Sequence, residues 1–196
     1  MSLLEHISLI VADSLDVKRR YFAEHAEDVE RAARMIADCF RESGKLLLFG
    51  NGGSAADAQH IAGEFINRFL PQDRRALPAI ALSTDGGVLT CIANDTGFEN
   101  VFARQIEALG ARGDLCLAIT TSGNSQNVIK AIEQARAKEM KIIGLLGRDG
   151  GSCASLCDLP LVVPSHDTQR IQETHNLIGH ILCELVELIL FPREES

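Results

Sequence analysis

The sequence predicts an α/β protein: a five-stranded parallel sheet, doubly wound into a three-layer sandwich, with a helical extension before it and a long helix after it. Two observations carry this. Five short runs, "KLLLFG" (45–50), "AIALS" (79–83), "DLCLAIT" (114–120), "KIIGLLG" (141–147) and "LPLVVPS" (159–165), are continuously apolar rather than alternating. Strands covered on both faces need this pattern. Between them fall stretches of helical spacing at 54–69, 86–110, 125–139 and 151–157, so the strands are joined through helices and run parallel.

The flanking elements follow the same reasoning. Residues 3–42 have helical spacing with Val29, Ala32, Ala33, Ile36 and Phe40 as one apolar stripe, and Ser43-Gly44 supplies the stop. Residues 168–190 form a closing helix striped by Ile178, Ile181, Leu182, Leu185 and Ile189. No repeat, linker or low-complexity segment interrupts the chain. At 196 residues it reads as one domain spanning 1–196, with the helical stretch 1–44 part of the same unit.

Composition narrows the class of partner. A net charge of −8 with no Lys/Arg cluster argues against a nucleic-acid surface. The apolar runs are strand-sized, which argues against a membrane span, and the first twenty residues lack the apolar core of a signal peptide. Of six cysteines, Cys39, Cys91, Cys116 and Cys183 lie within apolar helix or strand patterns, and Cys153 and Cys157 lack the spacing of a zinc knuckle or redox pair. They read as small buried hydrophobes in a reducing compartment, so a cytoplasmic location is expected.

Two strands end in the same way. After the first comes Asn51-Gly52-Gly53-Ser54 and a helix; after the third comes Thr120-Thr121-Ser122-Gly123-Asn124-Ser125 and a helix. In a sheet of order 2-1-3-4-5 the first and third strands are neighbours whose connections leave in opposite directions, opening a crevice at their carboxyl ends. Either loop alone reads as ordinary turn chemistry. Together at the switch point they offer free helix N-terminal N–H groups and hydroxyls to a phosphate. No GxGxxG or GxxxxGK[ST] motif is present, so a monophosphate is expected and a nucleotide cofactor is not.

The stretches "GNGGSAADAQHIAGEF", "IANDTGFENVFARQIEALGARGD", "TTSGNSQNVIKAIEQA" and "RIQETHNLIGHILCELVE" closely resemble the phosphoheptose isomerases of the sugar isomerase (SIS) domain superfamily, and the resemblance spans nearly the whole chain. It implies the SIS fold and a homotetramer. The implied reaction converts sedoheptulose 7-phosphate to D-glycero-D-manno-heptose 7-phosphate, the first step of heptose supply to bacterial surface polysaccharide such as lipopolysaccharide. By the same resemblance, substrate is bound by Asn51, Gly52, Gly53, Glu64, Asn94, Asp95, Thr120, Thr121, Ser122, Ser125 and Gln172. Glu64 and His180 are the implied acid/base pair, and the zinc that some members bind would fall to His60, Glu64, Gln172 and His180.

The residues themselves are compatible with that assignment without demanding it. His60 and Glu64 are spaced i, i+4 on one helix face, opposite the apolar Ile61, Phe65 and Phe69. A solvated helix glutamate and a hydrogen-bonded core histidine remain the plain readings of Glu64 and His180. Glu173, His180 and Glu184 share a face of the last helix, with Gln172 at its edge; Glu184 and Glu187 read as solvated or subunit-facing. His175 is ambiguous, and nothing ties His6, His25 or His166 to function. The resemblance also extends to a non-catalytic SIS regulator that binds the replication initiator protein, and isomerases of other sugar phosphates stay open. A carboxylate paired with a histidine favours the enzyme, because aldose–ketose isomerisation needs a carbon base and a group that moves oxygen-bound protons.

Overall fold

In the computed structural model, which describes residues 1–70 and 73–192, the elements are α1 (Leu3–Arg41), β1 (Leu46–Gly50), α2 (Gly53–Ile66), β2 (Ala79–Ala81), α3 (Gly86–Thr96), α4 (Ala103–Leu109), β3 (Leu115–Thr120), α5 (Gln126–Ala137), β4 (Lys141–Gly147), α6 (Gly151–Ala154), β5 (Leu159–Val163) and α7 (Thr168–Leu190). The five strands are parallel in the order β2-β1-β3-β4-β5. This is the doubly wound order expected from the sequence, with β1 and β3 adjacent at the switch point.

Alternation along each strand divides the core in two. Leu46, Leu48, Leu117, Ile119, Ile143 and Leu145 face a layer containing Ile36, Phe40, Ile61, Phe65, Ile178 and Leu182 of α1, α2 and α7. Leu47, Phe49, Cys116, Ala118, Ile142 and Leu146 face the other layer, where Phe102, Ile106, Val128 and Ile132 lie. The central strands β1 and β3 are buried on both faces, and β4 is buried from Ile142 onward, whereas the edge strands β2 and β5 are covered on one face and partly exposed on the other.

Helix α1 opens with a reciprocal capping box, Glu5 N–H donating to Ser2 Oγ at 3.2 Å and Ser2 N–H to Glu5 Oε2 at 2.6 Å. Its 39 residues extend about 58 Å. Burial begins only at Val17, and Leu3, Leu4, Ile7, Leu9, Ile10, Val11 and Leu15 are exposed on the projecting half.

Several sequence expectations need correction: the helices expected over 54–69 and 151–157 end at Ile66 and Ala154, and the last strand closes at Val163 rather than Ser165. The helix expected over 86–110 is broken: α3 stops at Gly97, whose φ of +97° suits glycine, and one turn of 3-10 helix (Phe98–Asn100) precedes α4. Apolar residues on both sides of the glycine hid the break. The second strand closes at Ala81 rather than Ser83, because a turn begins at Leu82. Cys91 is exposed on α3 and Cys157 is half-buried, both expected to be buried, while Cys39, Cys116, Cys153 and Cys183 are buried. Glu187 is fully buried, for reasons given below. No helix among the described residues is long and apolar enough to cross a membrane.

Candidate active site

The two loops after β1 and β3 meet at the switch point through a pair of side-chain amides. Asn51 Nδ2 donates to Asn127 Oδ1 and Asn127 Nδ2 to Asn51 Oδ1, both at 2.8 Å. Beside this pair, Thr120 Oγ1 lies 3.4 Å from Ser122 Oγ and 3.2 Å from Ser125 Oγ. Ser125 occupies the N-cap of α5, yet its hydroxyl does not cap the helix. Among the described residues the backbone N–H groups of Ser125, Gln126 and Asn127 meet no protein acceptor. Three hydroxyls and the open N-terminus of a 12-residue helix thus converge where an anion is best held.

This cradle is braced from behind. A Cβ on Gly123 would strike the Gly150 carbonyl, and one on Gly151 would come within 2.7 Å of the Gly123 carbonyl, so the two backbones lie against each other. Cys153 N–H donates to Gly123 O at 2.9 Å. The Asn124 amide donates to Ser122 O and accepts from Ser152 N–H and Oγ, each at 3.0 Å. Gly123, Gly150 and Gly151 all have positive φ, the conformation that glycine adopts without strain.

Helices α2 and α7 run side by side in parallel from the crevice. Gln172 lies against Gly53, Gly179 lets Ile61 approach to within 2.7 Å of where a Cβ would be, and His60 meets His180. The imidazole Nε2 atoms of His60 and His180 are 2.7 Å apart, a hydrogen bond that requires one ring to donate and the other to accept. Glu64 Oε1 lies 3.8 Å from His60 Nε2, and the Phe69 ring lies 5.6 Å from that of His180. Asp57, one turn before His60, has a buried Oδ2 without a partner. Burial raises its pKa, against the opposing pull of the Asn176 hydrogen bond and of the two imidazoles. The imidazole–carboxylate group faces outward: the His60 side chain is 44% exposed and that of Glu64 26%.

The end of this seam is fastened by an ion pair. Glu187 Oε1 accepts from Phe69 N–H and Arg74 Nε, both at 2.6 Å, and Oε2 accepts from Leu70 N–H at 2.8 Å. Arg74 also donates to the carbonyls of Glu64 (2.8 Å) and Phe65 (2.9 Å), which end α2. Both side chains are 0% exposed. Glu187 is therefore not solvated, as the sequence suggested; its donors lie in the 69–74 segment, over a hundred positions away. Burial would raise its pKa, but the Phe69 and Leu70 N–H groups and the Arg74 guanidinium outweigh burial and hold it below the usual carboxylate value. His175, ambiguous in sequence, is a core residue: it is fully buried, Nε2 contacts Leu146 O at 2.9 Å, and burial pushes its pKa down to about 4.

The sequence-derived site residues thus fall into separate groups. Asn51, Gly52, Gly53, Thr120, Thr121, Ser122 and Ser125 gather at the switch point. His60, Glu64 and His180 gather on the α2–α7 seam, with His60 about 10 Å along α2 from Gly53. Gln172 stands at the Gly53 end, two turns of α7 from His180. Asn94 and Asp95 bond to each other at 2.8 Å on exposed α3 and to neither loop among the described residues. Sequence reasoning missed Asn127, Asp57, Arg74 and Glu187; no local signal marks them, because each acquires its role from a partner on another element or from burial.

At the seam two imidazole nitrogens lie beside a carboxylate, donor types that zinc takes. Their 2.7 Å separation is about 0.6 Å short of the roughly 3.3 Å that zinc–nitrogen bonds of 2.0–2.1 Å impose on tetrahedral ligands. No group of three or more His, Cys, Asp or Glu side chains is gathered for a metal among the described residues.

A doubly wound sheet with a hydroxyl-lined anion cradle at its switch point, and an imidazole–carboxylate cluster on the helices that start there, defines an α/β protein of phosphate-binding type. The SIS domain family model matches residues 11–147. The phosphoheptose isomerase of Thermodesulfovibrio yellowstonii is 50% identical over 191 residues, covering 97% of this chain and 94% of that one. Two solved structures share the fold over 95% of this chain: a phosphoheptose isomerase from Neisseria gonorrhoeae (TM-score 0.89, 42% identity, 99% of that chain) and one from Francisella tularensis (TM-score 0.91, 38% identity, 98% of that chain). The chain belongs to the SIS domain family and, within it, to the phosphoheptose isomerases.

Proposed function

We propose that the protein interconverts sedoheptulose 7-phosphate and D-glycero-D-manno-heptose 7-phosphate. The observation that carries this reading is the meeting of His60, Glu64 and His180 on two helices that begin at the anion cradle, in a chain so similar to phosphoheptose isomerases. The switch-point loops hold the phosphate through Thr120, Ser122, Ser125 and the α5 N-terminus, with Thr121, Asn51, Gly52, Gly53, Gln172, Asn94 and Asp95 completing the substrate contacts. Binding energy gathered at the phosphate fixes the reacting carbons. Glu64 removes the proton from C1 of the ketose and returns it to C2 of the enediol. His180 moves the proton between the two oxygens and assists ring opening. Each such group contributes about 10²–10⁴-fold.

Zinc is part of the proposal. His60, Glu64 and His180 would hold it; Gln172, the fourth donor that the resemblance implies, stands two turns of α7 away within this chain. Bound there it would polarise the substrate carbonyl as a Lewis acid.

We further propose a cytoplasmic homotetramer whose product feeds heptose to lipopolysaccharide. Two features support assembly: the apolar residues exposed on the first half of α1, and an acid/base group left open to water where proton abstraction from carbon favours a closed site. A monomer by light scattering at micromolar concentration would refute it.

The decisive assay compares sedoheptulose 7-phosphate with five- and six-carbon ketose phosphates. Turnover of the heptulose in preference to both is expected. Turnover only of a shorter sugar, or of none, would overturn the reading. In the second case, capture of a replication initiator protein would favour the non-catalytic regulator.

A further inference from the structure

Asn127 belongs to no motif assigned to substrate, yet it makes a closed contact with a residue that is. It is the second residue of α5 and 4% exposed, and its carboxamide forms a cyclic pair with that of Asn51, two bonds of 2.8 Å closing one ring. Such a ring couples the two amides: turning one of them over alone would set N–H against N–H and C=O against C=O, so neither can turn without the other. The pair therefore holds the Asn51 amide in one plane and ties its orientation to that of Asn127. It consumes one N–H and one oxygen lone pair of each amide, leaving Asn51 one N–H for a substrate oxygen. It is also a side-chain tie across the switch point, from the end of β1 to the helix whose N-terminus forms the cradle.

We propose that Asn127 is a positioning residue for the isomerase reaction, acting through Asn51: it holds the Asn51 amide in its binding orientation and sets the spacing between the β1 loop and the phosphate cradle. This rests on the isomerase reading above and deepens it. Asn127 itself need not touch the sugar.

The test is a double-mutant cycle in the full-length protein, read as kcat/KM for sedoheptulose 7-phosphate. Asn127→Ala should lower kcat/KM by about 10- to 100-fold. If Asn127 acts through Asn51, the double variant Asn51→Ala/Asn127→Ala should be no worse than Asn51→Ala alone, within about twofold. Asn127→Asp, nearly the same shape, can accept from Asn51 Nδ2 but has no N–H for Asn51 Oδ1. It should fail to restore activity, whereas a role in filling space would be rescued by it. Losses that multiply in the double variant, or near-normal activity in Asn127→Asp, would overturn the proposal. Should Asn127→Ala not fold, Asn127→Ser, which also lacks the amide and adds no charge, gives the same cycle with Asn51→Ala. Wild-type protein inactive on every sugar phosphate would overturn the isomerase reading, and this proposal with it; active wild type with additive losses overturns this proposal alone.

Discussion

Replacing Glu187 with glutamine should destabilise the protein by about 3–5 kcal/mol, the range for breaking one side of a buried ion pair. The carboxylate accepts from two backbone N–H groups and a guanidinium, spread over both oxygens. A carboxamide keeps one acceptor atom, so at least one donor faces an NH₂ group, and Arg74 stays buried without its counter-charge. Hydrogen bonds to charged groups are each worth about 1.5–3 kcal/mol, which reaches the same range independently. Against a typical total of about 5–15 kcal/mol the loss is large. Urea unfolding at pH 7, followed by circular dichroism, measures it. The pH dependence supplies a second reading. Because the folded pKa of Glu187 lies below its unfolded value, the unfolded chain takes up a proton first as pH falls, and the stability due to this carboxylate is lost progressively below about pH 4.5. Glu187→Gln should lack that component. A destabilisation under 1 kcal/mol, or an unchanged acid profile, would show that the pair does not anchor the α2–α7 seam.

Three further outcomes are expected. Ser122→Ala and Ser125→Ala should each raise KM with the fold intact, since each removes a hydrogen bond to a charged group worth about 1.5–3 kcal/mol; unchanged kinetics in both would place the phosphate elsewhere. Glu64→Gln should abolish both turnover and exchange of the C1 hydrogen with heavy water, while His180→Gln should lose turnover yet retain exchange; mass spectrometry of recovered sugar phosphate distinguishes them, and the opposite pattern reverses the roles. His175, with a folded pKa near 4 against about 6.5 unfolded, contributes stability that is complete above pH 6.5. It is lost as pH falls toward 4, about 3 kcal/mol in all, and His175→Gln should flatten that slope in unfolding curves taken between pH 7 and 4.5.

The sheet was legible because its central strands are buried on both faces, and short uninterrupted apolar runs separated by stretches of helical spacing match a parallel sheet. The cradle was legible because its residues are contiguous in sequence and its backbone donors follow from strand-to-helix turns. The α3–α4 break was not, since Leu89, Ile92, Val101 and Ile106 continue one apolar pattern across Gly97. Glu187 looked like any helix glutamate, and only its contacts with the distant Phe69, Leu70 and Arg74 turn it into a buried counter-ion. Asn127 was hidden for a similar reason: an asparagine in a first helical turn is common, and its meaning lies in Asn51, 76 positions away. Local chemistry was readable, whereas pairings between distant segments had to await the fold.

The backbone contact between Gly123 and the Gly150-Gly151 pair has a consequence for inheritance and for engineering. A loop braced by hydrogen bonds from side chains can be exchanged if its partners are exchanged with it, but a loop seated against bare backbone accepts no methyl group on either side. The segments 120–125 and 148–153 are thus a single heritable module despite the intervening helix and strand. Transplanting the phosphate loop into another sheet, or diversifying it in a library, requires carrying the second glycine-bearing turn along. Lineages that alter one should show the compensating change in the other.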